Sequence, residues 1–301
     1  MQFPEYTVSL LIWVLPDVAI GIFVFGKRLL SVEKVYAFLL TVGVLAAIGC
    51  GLDLLFASRF FTFPEPRSVL GWHPGGVPFE EYVFYISGFW FILFLYVFCD
   101  EWYLKAYNLP DEWYARFRRR LDRLVYPHWR GVAWLGGLAL LSVAAKVFLN
   151  PGHGWLPGYF LFLLLMAYGP FVLFYRVTRR FVNWRGFIVT VLVTTLLSVI
   201  WEVTLALPRG YWNYQHPSML GIFIGVWHDL PIEAVTVWGS STLVILIYEF
   251  VKIRYFTPAP TTPWHKALKK LGYDWREGQS GLSGSAEGSA PAKKDSGPAT
   301  G

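Results

Sequence analysis

Two adjacent acids, Glu80 and Glu81, stand in the string Gly76-Val77-Pro78-Phe79-Glu80-Glu81-Tyr82-Val83-Phe84-Tyr85, at the head of an apolar run that reaches Cys99. A carboxylate carried into hydrocarbon costs roughly 2.5 to 3.5 kcal/mol even on the mildest insertion scale, so a pair at one helix entrance marks a site that holds carboxyls out of water. In an apolar cavity desolvation disfavours the charged form of a carboxylic acid, and a second acid nearby disfavours it further. The chemistry on offer is proton donation at neutral pH. The motif also returns, because Leu230-Pro231-Ile232-Glu233-Ala234 repeats Val77-Pro78-Phe79-Glu80-Glu81.

Asp17, Asp53, Glu202 and Asp229 are further acids inside or at the mouths of apolar runs, with His228 and Lys146 as the nearby positive candidates. Asp229 and Glu233 are four apart and share a face if a helix already runs through Pro231, a residue suited to a first turn. Glu80 and Glu81 diverge by about 100° on a helix, so one should face a cavity and the other support it. A single buried acid can simply satisfy tryptophan or tyrosine donors between helices. A set of them, symmetrically placed, points to function.

Aromatic residues make up 19% of the chain, and many flank the acids. Trp72, Tyr211 and Trp212 read as an interfacial belt. Phe84, Tyr85, Trp90, Trp201 and Trp238, deeper in the runs, are expected to line a substrate pocket, because aromatic faces attract positive charge. A donor acid among aromatic walls suits carbocation chemistry. His73, His153, His216 and His228 lack metal-ligand spacing, so no metal site is expected. The sequence contains no GxGxxG, P-loop or GxSxG string, and chemistry without a cofactor is the expectation.

Such residues must be held by a membrane fold. With 55% hydrophobic and 15% charged residues and a mean hydropathy of +0.44, the chain is expected to be a multi-pass integral membrane protein. Its net charge of +6 comes from arginines clustered between apolar runs, which the positive-inside rule explains better than nucleic-acid binding does. Cys50 and Cys99 lie within apolar runs and suit packing. The acidic N-terminus and the lack of a small-residue cleavage site make the first run a span rather than a signal peptide.

Seven runs approach the length a span needs: roughly 7–26, 35–57, 78–99, 131–149, 156–175, 187–207 and 220–250, the last with a tilted or re-entrant entrance around Gly221 to Pro231. Lys and Arg concentrate in the odd loops, which puts those loops and the C-terminus in the cytoplasm, and the N-terminus and both acid motifs toward the outer face. The expected location is the bacterial inner (cell) membrane. The third loop, 100–130, reads as an amphipathic interfacial helix against anionic lipid, with partner docking as the alternative. Residues 251–276 form a juxtamembrane segment, and the Gly-, Ser- and Ala-rich tail 277–301 is expected to be disordered.

Internal repeats organise the runs. Pairs recur at offsets from 149 (Asp53 to Glu202) to 154 (Pro16 to Pro170), with Leu70-Gly71 matching Leu220-Gly221 between them. The expected fold is all-α, with seven transmembrane helices as two parallel three-helix repeats, about 5–99 and 155–250, joined by a connecting segment and helix at 100–150. An axis along the membrane normal would relate the two repeats.

On Pro78-Phe79-Glu80-Glu81-Tyr82-Val83-Phe84-Tyr85, and on Trp212-Asn213-Tyr214 followed by Leu220-Gly221 and Pro231-Ile232-Glu233, residues 5–250 resemble the integral-membrane lycopene cyclase domain family, the heterodimeric bacterial type and its fused relatives. The resemblance implies a redox-neutral isomerisation without cofactor. A carboxylic acid protonates the terminal double bond of a linear polyene end, the next double bond attacks the tertiary cation, and loss of a proton leaves a β-ionone ring. It further implies Glu80 with Glu81 as the acid and its partner, Glu233 as their counterpart, and Asp53, Glu202 and Asp229 as groups that tune, accept the proton or stabilise the cation. The partners implied are a lipophilic polyene, membrane lipids, and a homo-oligomer or other carotenoid enzymes. The chain departs from the family's pattern at Ala234 and at Gly71-Trp72-His73, so the first copy is expected to be the more catalytic. A proton-coupled transporter and a membrane cyclase of another terpenoid are the alternative readings.

Overall fold

Residues 4–63, 68–108 and 128–256 are described by the computed structural model, and in them the apolar runs fold as helices. Six helices are long and apolar enough to cross a membrane: α1 (Glu5–Gly26), α2 (Val32–Phe60), α3 (Phe79–Tyr103), α4 (Trp129–Leu149), α5 (Gly158–Thr178) and α6 (Trp184–Ala206). Most of the expected interfacial helix in the third loop, most of the juxtamembrane segment and the tail 277–301 lie outside the described residues. Local chemistry sets several helix starts. Ser31 caps α2 by accepting the Lys34 amide, and Asn183 caps α6 by accepting the Gly186 amide at 3.2 Å. Pro78 stands extended (φ −56°, ψ 140°) just before α3, whose first turn carries Glu80 and Glu81 at the positive end of the helix dipole.

The last apolar run, 220–250, is not α-helical over the Gly221 to Pro231 entrance that the sequence marks out. Gly221, His228 and Asp229 all have positive φ, which no α-helix accommodates, and the chain instead forms a small hairpin in which β3 pairs with β4. In chain order the short strands are β1 (Phe61–Thr62), β2 (Asn213–Tyr214), β3 (Phe223–Ile224) and β4 (Leu230–Pro231), and β1 pairs antiparallel with β2. Helix begins only at α7 (Ile232–Val237), passes through a 3₁₀ turn at Trp238–Ser240 and continues as α8 (Ser241–Val251).

Helix α3 is the hub. It is the most buried of the six and packs against α1, α2, α6 and α8, whereas α4 is the least buried and lies against α5. One core cluster joins Phe38 and Val42 of α2, Leu93, Phe94 and Val97 of α3, and Ile245 and Leu246 of α8. In hydrocarbon such packing acts through van der Waals contact and interhelical hydrogen bonds rather than through water exclusion. A polar clamp supplies those bonds at the end of α3. Lys34 pairs with Glu101 and Lys252 with Glu249, each at 2.7 Å, and the Tyr96 hydroxyl donates to Glu249 at 3.1 Å.

Candidate active site

The acids of the two motifs separate by role in the fold. Glu80 Oε1 accepts from the Leu70 amide and the Thr7 hydroxyl, both at 2.7 Å, and Glu233 Oε1 accepts from the Leu220 amide at 2.6 Å. Each acid lies in the first turn after an extended proline, Pro78 or Pro231, and each fastens the residue before a glycine of positive φ, Gly71 at 87° and Gly221 at 107°. A carboxyl oxygen that accepts a backbone amide pins that stretch of loop to the helix entrance. Both carboxyls are buried against these loops, and neither is among the residues lining the two cavities described below. Lys146, near the end of α4, steadies the second loop by donating to the carbonyls of Pro217 (3.0 Å) and Met219.

Glu81 takes the other direction, since one residue along a helix turns the side chain by about 100°. It lines a cavity of about 770 Å³, counting its open side, together with Glu202 of α6. Phe84, Tyr85 and Gly88 of α3, Trp201 of α6, Trp212 and Tyr214 of the following loop, and Trp238 make up much of the wall. Each acid is held by a phenol: the Tyr6 hydroxyl donates to Glu81 Oε1 at 2.8 Å, and the Tyr214 hydroxyl donates to Glu202 Oε1. Burial, followed by the nearby Glu202 carboxyl, pushes the Tyr214 phenol well above its ordinary value, so it stays a neutral donor. Glu202 opens a π-helical turn, Glu202–Ala206, a distortion that often accompanies functional sites.

Aromatic rings brace this end of the bundle. Phe84 stacks on Trp201 at 5.0 Å, Trp13 on Trp238 at 5.2 Å, and Tyr6 on Tyr211 at 4.8 Å. Ser198 Oγ and Trp201 Nε1, in the cavity-lining residues, have no hydrogen-bond partner among the described residues. Asp53 lies in a second, adjoining cavity whose wall includes Tyr85.

Of the aromatic residues expected at a pocket, Phe84, Tyr85, Trp201 and Trp238 line the first cavity. Trp90 does not. It points to the neighbouring face of α3 and packs on Phe38 and Phe94. Asp229 is also removed from the site: it is exposed at a positive-φ position of the hairpin and does not share a helix face with Glu233, because α7 starts at Ile232. Trp72 is exposed, as an interfacial residue would be, but Tyr211 and Trp212 are buried in the aromatic cluster.

Sequence reasoning passed over Tyr6, Tyr159 and Tyr214 as site residues. Tyr6 and Tyr159 stand 153 positions apart, within the 149 to 154 range of the matched sequence pairs, which is the signal that would have found them. Among the described residues no group of three or more His, Cys, Asp or Glu side chains is placed to hold a metal ion. Comparison with family models, curated proteins and solved structures finds no match to this chain.

Proposed function

We propose that this protein is a carotenoid cyclase of the lycopene type, which closes a linear polyisoprenoid end into a β-ionone-type ring by acid catalysis without a cofactor. The observation that carries the reading is the pair Glu81 and Glu202 facing one aromatic-walled cavity, each fixed by a tyrosine hydroxyl. Glu81 gives a proton to the terminal double bond, and the next internal double bond attacks the resulting tertiary cation. Glu202 takes the proton lost as the ring's double bond forms, so nothing is oxidised or reduced. The faces of Trp201, Phe84 and Trp238 stabilise the cation between those steps. Glu80 and Glu233 hold the loops and act as positioning residues. Ala234, where a second acid would stand, is buried against Val199 and Leu230, so the second motif carries no counterpart of Glu81.

In this reading α7 and α8 together form a seventh span. The helices α1–α3 and α5 to α8 form two parallel three-span repeats, and α4 connects them in the bacterial cell membrane with the N-terminus outside. The matched Glu80–Leu70 and Glu233–Leu220 bonds support that duplication. A transporter is less well supported, because between Tyr85 and Tyr96 the polar side chain α3 contributes is Ser87, whose hydroxyl is turned back to the Phe84 carbonyl. The partnerless Ser198 and Trp201 donors favour, as a second reading, a related cyclase of an oxygen-bearing terpenoid.

Expression in a lycopene-accumulating bacterium, with the pigments separated by chromatography, tests the proposal. Cyclised product is expected from the wild type and none from Glu81→Gln. Unchanged lycopene, with wild-type protein present in the membrane, overturns it.

A further inference from the structure

Beside the acid cavity lies the second cavity, of about 850 Å³ counting its open side, between α2, α5 and α8. Phe61, Tyr85, Phe89, Tyr159, Val237 and Val244 line both, so the two share a wall. The second cavity meets the surface midway along α2, where Ile48 is 53% exposed and Met166 of α5 is 36% exposed, beside the π-helical turn Leu164–Tyr168. Its lining is apolar apart from Asp53 and the two tyrosines of the shared wall, Tyr85 and Tyr159.

Resting on the cyclase reading, we propose that this second chamber is the lateral access route and binding site for the unreacted chain of a long polyene, which threads from the bilayer past Tyr85 and Tyr159 to the acid chamber. An enzyme that acts on one end of a hydrocarbon must leave the remainder an apolar path. A substrate dissolved in lipid reaches the site from the side rather than from water. The shared wall and the mid-height opening meet both requirements, and Asp53 at the inner end places a polar group only where the reacting end begins.

Gly49 and Ala167 offer plugs from opposite walls. A Cβ on Gly49 would lie 3.5 Å from the Phe89 ring, an ordinary contact, so a larger side chain there grows into the chamber; Ala167 is buried in the facing wall. Wild type, Gly49→Leu, Ala167→Phe and the control Gly136→Leu, whose site has open space around it, are compared in lipid nanodiscs. The substrates are lycopene and a synthetic polyene of one end group and a short chain. Binding is read separately as circular dichroism induced in the lycopene absorption band.

The plugs are expected to shift the kcat/KM preference by about tenfold or more toward the short substrate and to remove most of the induced signal. Gly136→Leu should behave as wild type. Folded plug variants that keep the wild-type preference and signal overturn the chamber. Wild type that binds without converting overturns the cyclase reading alone, and loss of its signal in either plug still supports the chamber. No induced signal in the wild type at saturating lycopene overturns the chamber as a polyene site and leaves it to lipid acyl chains.

Discussion

The Tyr6 hydroxyl lies 2.8 Å from Glu81 Oε1, joining the first turn of α1 to the first turn of α3 across 75 positions of chain. Tyr6 is fully buried and stacked on Tyr211, so its ring is fixed and the carboxyl is fixed with it. Tyr6→Phe keeps the stacking and removes one hydrogen bond. Conversion is expected to fall about 10- to 100-fold, because a misaligned acid loses much of what general acid catalysis supplies. Stability should fall by only about 1 kcal/mol. Chromatography of the pigment and thermal melting of the purified protein read the two effects, and wild-type conversion would remove Tyr6 from the acid's working environment.

Glu80 and Glu81 should part company under the same substitution. Glutamine at 80 still offers a carbonyl oxygen to the Leu70 amide and the Thr7 hydroxyl, so Glu80→Gln should retain most conversion. Glu80→Ala leaves that amide unsatisfied at a cost of about 1 to 3 kcal/mol. Glutamine at 81 has no proton to give, and conversion should vanish with melting little changed. The reverse pattern would make Glu80 the acid.

How much of this could be read from the sequence depends on the kind of information each feature needs. Six helices long and apolar enough to cross a membrane were legible because apolar length is a local property, and the doublet's echo was legible because the motif strings themselves recur. Which of Glu80 and Glu81 faces the cavity was not, because the sequence fixes the angle between them but not the orientation of α3 against α1 and α6. Trp212 looked interfacial by position in its loop, yet the ladder between β1 and β2 folds that loop back onto the aromatic cluster. Asp229 looked helical because it precedes Pro231 at the right spacing for Glu233. Positive φ at two consecutive non-glycine residues, His228 and Asp229, is not a pattern that sequence spacing reveals.

Tyr214 makes a pH prediction with a definite sign. Its phenol is raised in the folded protein by burial first and by Glu202 second, so the folded state holds this proton more tightly than the unfolded chain does. The stability it contributes is complete below the unfolded value near 10 and is lost as the pH rises through the higher folded value. The melting temperature in detergent should therefore decline above about pH 10, and Tyr214→Phe should flatten that decline. Equal slopes in the two proteins would show that other groups govern alkaline unfolding.

Lys146 tests whether the loop after α6 must be held for the cavity to work. Its ammonium donates to the Pro217 and Met219 carbonyls, and its charge also acts on Glu233, which fastens Leu220. The same loop carries Trp212 and Tyr214 into the cavity wall, some residues before the pinned stretch. Lys146→Met keeps the length of the side chain and removes every donor it supplies to this loop, leaving Asn150 Nδ2 as the donor to the His216 and Met219 carbonyls. The expected loss is about 2 kcal/mol, within the range for hydrogen bonds made by a charged group. Combined with Glu233→Gln, the two losses should not add, because both substitutions release the same loop and removing the first pin lowers what the second can hold. Conversion should fall in Lys146→Met even though Glu81 and Glu202 are untouched, with the larger change in kcat if loop order sets the wall around the reacting end. Thermal melting and pigment conversion measured on the two single variants and the double variant decide it. Additive losses in stability would separate Lys146 from Glu233, and full conversion by a destabilised Lys146→Met protein would confine the lysine to the fold.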